Sequence, residues 1–290
     1  MEHSITISKS TLYNYKKDSK GPKKFFGEKE VSEIDRKDIL EFINMEISKG
    51  YASSTITSIF KGIQGTFEWL ESNNFIERNP CHKIPLPIKK YKEIEPFTLE
   101  EIQKILSVDM PGWVRLAIEI AWRTGMRKGE IFALKWSDMD FENSFIQVKR
   151  TQSIYGGKME IKEPKTKSSR RRIMIDDYLL EILRENKKYQ KSEYIFSTSE
   201  GDVKIPYDLS SKRFKVVCKK AGVPKRRFHD LRHTHASILL SKGVHPKIVQ
   251  ERLGHSKIST TLDTYSHLVP GMQQEVINII NKINEDKMNF

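Results

Sequence analysis

Residues 144–175 read SFIQVKRTQSIYGGKMEIKEPKTKSSRRRIMI, and the texture of that stretch decides the fold class. Three short runs in it have β character: FIQV at 145–148, KMEIK at 158–162 and RRIMI at 171–175. Runs of this kind, bounded by turn residues, predict strands. Tyr155-Gly156-Gly157-Lys158 predicts a tight turn between the first two, because glycine takes the positive φ that two-residue hairpin loops demand. The flanking sequence carries a helical period instead. The expected class is mainly α with one small three-stranded antiparallel sheet.

Working outward toward the N-terminus, the pattern predicts helices over about 128–136, 112–124 and 99–107. Thr98-Leu99-Glu100-Glu101 forms a capping box at the last of these, and Gly125 is a C-terminal stop for the middle one. Further upstream, NPCHKIPLPIKKYKEIEP contains Pro80, Pro85, Pro87 and Pro96 with lysines between them, a poor helix or strand and a good linker. A domain boundary is expected there, near residue 90. Before it, residues 32–49 predict a helix capped by Ser32 or Asp35, with Ile39, Phe42, Ile43 and Ile47 on one face and Gly50 as its stop. Residues 54–73 predict a second, with Ile56, Ile59, Phe60, Ile63, Phe67 and Leu70 aligned. Toward the C-terminus, helices are expected at about 176–190, 207–220, 229–242, 246–253 and 259–267. A tail helix near 272–286 carries Val276, Ile277, Ile279, Ile280 and Ile283. The expected domains are 1–90 and 96–290.

Length and composition fit this plan. The 290 residues suffice for two domains at roughly 100–200 residues each. With 37% hydrophobic and 31% charged residues the chain is too apolar to be disordered. No run approaches the roughly 18 apolar residues of a membrane span, and MEHSITISKS is no secretion signal. Only Cys81 and Cys218 are present, which excludes a disulfide framework or Cys-rich zinc site and fits a reducing cytosol. The net charge of +13 is concentrated. Residues 149–172 carry nine Lys/Arg against two acids, and 212–232 carry nine against one, so the remainder is nearly neutral. Basic excess gathered in two segments reads as the footprint of a polyanion rather than as general solubility.

Four segments hold the parts that metal-free phosphodiester cleavage needs. That chemistry requires forked cations for the transition-state oxygens, a nucleophile that stores the bond covalently, and a proton donor for the departing oxygen. Thr124-Gly125-Met126-Arg127-Lys128-Gly129-Glu130 places Arg127 between two glycines at a helix junction. Glu163-Pro164-Lys165-Thr166-Lys167-Ser168-Ser169-Arg170-Arg171-Arg172 lies between two strand patterns, so it is expected to be the basic tip of a hairpin, with a lysine on it. In Phe228-His229-Asp230-Leu231-Arg232-His233-Thr234-His235, His229 and Arg232 are neighbours on one helical face, well suited to a phosphate. The spacing of His229 and His233 also matches a zinc helix, but such a helix wants Glu where Asp230 stands, and Arg232 would repel the metal. His233 and His235 are read as buried or surface histidines of no chemical role. Leu253-Gly254-His255-Ser256 and Thr260-Thr261-Leu262-Asp263-Thr264-Tyr265-Ser266-His267 complete the set.

TGMRKGE, PKTK, HDLRHTHAS, LGHS and TLDTYSHL, in this order, resemble the tyrosine recombinases of phages and conjugative transposons. The resemblance covers roughly 98–268, and the N-terminal segment is similar to the helical core-site-binding domain of that family. It implies a site-specific DNA recombinase, an integrase that cleaves and rejoins DNA through a 3′-phosphotyrosyl bond and releases a 5′-hydroxyl. Tyr265 would be the nucleophile. Arg127 and Arg232 would clamp the scissile phosphate, and His229 and His255 would hydrogen-bond it, His229 also as base toward the tyrosine. Lys165 would be the general acid, with Lys167 as its alternative on the same tip. These groups are expected around a pocket for one phosphate, with cations favouring phenolate over the ordinary tyrosine pKa near ~10. The resemblance further implies double-stranded DNA as partner, a two-domain C-shaped clamp, a tetramer on paired sites, and a directionality factor. No metal or other cofactor is called for. It leaves no room for the arm-site domain many integrases carry, so that domain is expected to be lacking or trimmed away. A type IB topoisomerase-like enzyme and a non-catalytic DNA-binding regulator are the rival readings.

Overall fold

The structure is a computed structural model that describes residues 8–88, 95–164, 166–204 and 209–265, together with Ile277, Ile280 and Asn281. It divides into two compact units, Met1–Glu93 with Ile154–Lys158, and Ile94–Ser153 with Met159–Phe290. Among the described residues no helix is long and apolar enough to cross a membrane.

The first unit is helical. Its helix Arg36–Ser48 starts where Asp35 and Asp38 each accept the other's backbone N–H at 3.0 Å, a reciprocal cap that selects Asp35 over Ser32 as the start. The helix Ser53–Ser72 lies against it, and Ile39, Phe42, Ile43, Ile56, Phe60, Ile63 and Phe67 form the shared core. Two helices precede these, Lys9–Asp18 and Lys20–Phe26, which the sequence pattern did not foretell. Their lysines mask the signal, and Phe25 and Phe26 supply it by packing on Phe42.

The second unit opens at the Thr98 cap, where the Thr98 hydroxyl accepts from the Glu101 N–H at 3.2 Å. Helices Leu99–Ser107 and Gly112–Thr124 come next, as expected. The helix after them does not run to residue 136 but covers only Lys128–Ile131. The chain is drawn off at Lys135, which bridges to Tyr194, and Asp138 closes a 3₁₀ turn by accepting the Lys135 N–H at 3.0 Å. Later come helices Asp177–Lys188, Phe214–Lys220 (entered through a π turn at Leu209–Arg213), Asp230–Ser241, Pro246–Leu253 and Ile258–Tyr265. The tail expected at 272–286 lies outside the described residues, apart from Ile277, Ile280 and Asn281.

A three-stranded antiparallel sheet is present, but its membership differs from the expectation. Strand β1 is Met139–Asp140, β2 is Phe145–Val148, and β5 is Arg171–Met174, ordered β1-β2-β5. The KMEIK run is β4, Lys158–Lys162, and pairs only with β3, Thr151–Tyr155, as a separate hairpin. Gly156 and Gly157 have φ of 55° and 75°. Such a two-residue loop joins immediate neighbours, so the expected turn is real but belongs to 151–155 and not to FIQV.

Candidate active site

Two helices of the second unit end on left-handed glycines, and carbonyls at their ends face one buried guanidinium. Helix Gly112–Thr124 stops at Gly125 with φ 67°, and helix Pro246–Leu253 stops at Gly254 with φ 70°. The last carbonyls of a helix lack intrahelical partners and carry the negative end of its dipole. Arg232, only 3% exposed, donates Nη1 to the Gly125 oxygen at 2.6 Å and Nη2 to the Leu253 oxygen at 2.8 Å. Glycine is required at 125 on two grounds: a Cβ would strain the backbone and lie 2.7 Å from Leu253 Cδ2 and 2.8 Å from the His235 ring.

Arg127 stands beside this junction. It donates Nη2 to the Gly254 oxygen at 3.2 Å and Nη1 to Glu130 Oε1 at 2.9 Å. Glu130 is buried and also takes a two-pronged pair from Arg171, at 3.1 and 2.9 Å. Burial alone would raise the Glu130 pKa. The bond to Arg171 and the charges of Arg171 and Arg127 outweigh it and hold the carboxyl below the ordinary range. Arg232 is pushed down to about 9, first by burial and then by the like charge of Arg127, so it remains a cation at neutral pH. Two guanidiniums, Arg127 and Arg171, thus share the Glu130 carboxylate, and the Arg232 cation lies close enough to feel it while bonding only carbonyls. The centre has an excess of positive charge and spare N–H donors, since a guanidinium offers five.

The imidazoles line the same region. His229 directly precedes helix Asp230–Ser241, and its side chain makes no capping bond there. Its pKa is lowered to about 4 by surrounding protein first, then by His233 and Arg232, so the ring is neutral at pH 7. His255 comes directly after Gly254 and shares a hydrogen bond at 2.9 Å between its Nδ1 and the Thr261 hydroxyl. It is lowered to about 4 by burial, then by Arg232 and Arg127.

Tyr265 is placed otherwise than expected. It is 2% exposed and packs with Ala236, Leu240, Val249 and Leu253. Its hydroxyl lies 2.5 Å from His233 Nδ1. Burial pushes the phenol up to about 12, against the pull of Arg232 and with a push from Asp230. Cations were expected to favour phenolate, and here desolvation wins. Lys165 lies outside the described residues, as does the side chain of Lys167.

A model described as the phage integrase family matches residues 94–271. The chain is 32% identical over 283 residues to a tyrosine recombinase XerC-like protein of Caldanaerobacter subterraneus subsp. tengcongensis, a match covering 87% of this chain and 72% of that one. It is 29% identical to the ICEBs1 integrase of Bacillus subtilis, over 89% and 74% of the two chains. The chain belongs to the phage integrase family. It is a site-specific DNA recombinase of the tyrosine type. Its fold is shared with the Tn1549 transposon integrase, solved in complex with a circular intermediate DNA, at a TM-score of 0.80 and 22% identity over 91% of each chain.

Two parts of the recombinase escaped the sequence reading. Arg171 anchors the junction, since its Nε also donates to the Arg252 oxygen at 2.6 Å. Strand alternation held the clue: period two puts Arg171 on the inner face with Ile173 and leaves Arg172 outside. The histidines set aside also have defined places. His235 is held neutral, donating Nδ1–H to the Trp122 oxygen at 2.8 Å while Nε2 accepts from Arg252 at 2.9 Å. His233 bonds the tyrosine, which only the tertiary position of Tyr265 could reveal.

Proposed function

We propose that this recombinase breaks a DNA strand by attack of the Tyr265 oxygen on a backbone phosphate, leaving a 3′-phosphotyrosyl bond and a 5′-hydroxyl. The observation that carries the reading is the convergence of three guanidiniums, Arg127 and Arg171 paired to the buried Glu130 carboxylate and Arg232 strapped to the Gly125 and Leu253 carbonyls. Three cations, two held by a carboxylate and one by helix-end carbonyls, suit a phosphate that gathers further negative charge in the transition state. Arg127 and Arg232 clamp its non-bridging oxygens, because these two keep donors not used on carbonyls. His229 and His255 hydrogen-bond the same phosphate, and Lys165 protonates the departing 5′ oxygen. Energy of the broken bond is kept in the tyrosyl ester, so rejoining calls for no nucleotide.

Double-stranded DNA is the partner, gripped by both units, with residues 1–90 reading the core site and 96–290 cutting it. The complete reaction joins four copies on two sites, under a directionality factor, in the cytoplasm where the DNA lies. The test is a covalent trap. Protein is mixed with a nicked duplex built from the DNA flanking the gene and denatured in SDS. A shifted protein–DNA band is expected, lost in Tyr265→Phe while DNA binding survives. Relaxation of plasmids lacking any site would instead favour a topoisomerase, and binding without a band a regulator.

A further inference from the structure

We propose that His233, rather than His229, accepts the proton of Tyr265 as the tyrosine attacks, which makes His233 a catalytic residue of this recombinase. The inference rests on Tyr265 being the nucleophile. A general base must first lie within hydrogen-bond reach of the proton it removes. His233 Nδ1 is 2.5 Å from the Tyr265 oxygen, and the two ring centroids are 5.8 Å apart. Among the described residues no hydrogen bond joins His229 to Tyr265, and its ring lies edge-on to that of His233 at 5.1 Å.

Protonation states agree with that geometry. Burial holds the Tyr265 proton on its oxygen, and burial also lowers His233, so its ring is neutral. The hydroxyl therefore donates and Nδ1 accepts. Charged groups around the ring govern how readily it takes up the proton. Asp230, three residues earlier on the same helix, favours the imidazolium, while Arg232 and Arg227 oppose it. His229 and His255 are its other ionisable neighbours. The protonated ring is supported on one side and repelled on the other, so it holds the proton and gives it back.

The step balances. On cleavage the Tyr265 O–P bond forms, the P–O5′ bond breaks, the phenol proton goes to His233 Nδ1, and the 5′ oxygen takes a proton from the general acid. On rejoining, the 5′-hydroxyl returns its proton to that acid and Nδ1 returns the other to Tyr265.

The experiment measures the rate of covalent complex formation on the nicked duplex from pH 6 to 9.5 for the whole protein. His233→Asn keeps a polar atom near Nδ1 but takes up no proton, and His233→Gln is a second such variant. Each is expected to be slower by roughly 10²–10⁴-fold at pH 7. The deficit should shrink by about tenfold per pH unit, because hydroxide then supplies the phenolate that the ring no longer generates. A deficit unchanged across pH would mark a packing role and overturn the proposal, as would wild-type rates. A shrinking deficit in His229→Asn with none in the His233 variants would transfer the role to His229. Should Tyr265→Phe still form the complex, the nucleophile assignment fails instead, which keeps the two failures apart.

Discussion

Arg127 and Arg232 are chemically alike but held in different ways, and the difference bears on what each can be asked to do. Arg232 is buried between two helix ends, so removing it takes away both the proposed phosphate ligand and the strap between Gly125 and Leu253. Arg127 keeps 37% of its side chain exposed and straps only Glu130 and Gly254. Arg127→Ala is therefore the cleaner probe. It should slow covalent complex formation by roughly 10²–10³-fold, the range for a lost oxyanion donor, with DNA affinity little changed. Equal losses in cleavage and in binding measured by fluorescence anisotropy would mean that Arg127 merely holds DNA. Flanking glycines marked Arg127 and the spacing from His229 marked Arg232, whereas the role of His255 came only from the family resemblance. Spacing gave no access to the partners that position them. Which ring meets the Tyr265 hydroxyl depends on how helix Ile258–Tyr265 lies on helix Asp230–Ser241, and no local pattern encodes that.

At the scale of elements, the site is a meeting of helix C-termini, and glycine is what lets them meet. Gly125→Ala places a Cβ against Leu253 and His235 on a backbone that disfavours it. Strain and overpacking together should cost about 3 kcal/mol. Gly157→Ala has the same sign of φ but nothing within 4 Å, so it should cost only about 1 kcal/mol. Denaturant midpoints compare the two, and equal losses would contradict the crowding argument. Capped helices were readable because Asp35 and Thr98 announce their starts. Strand pairing was not, because alternation in FIQV, KMEIK and RRIMI tells which face a residue takes but not which neighbour it bonds. The polar run TQSIY that pairs with KMEIK drew no notice for the same reason.

For the whole molecule, charge and chemistry lead to one partner. Lysines and arginines of 149–172 and 212–232 give most of the net charge. Affinity for the duplex should fall linearly on a log–log plot against salt, with a slope of about −0.9 for each phosphate neutralised. A flat response would remove the polyanion as partner. The proposed reaction passes through the Tyr265 oxygen, so the fate of that oxygen is the decisive observation. Digestion of the trapped protein–DNA complex with protease and nuclease, then mass spectrometry of the peptides, locates the bond directly. A nucleotide phosphate on Tyr265, attached through the phenolic oxygen, is the expected result. A nucleotide on any other residue, or trapped complexes without a tyrosyl adduct, would contradict it.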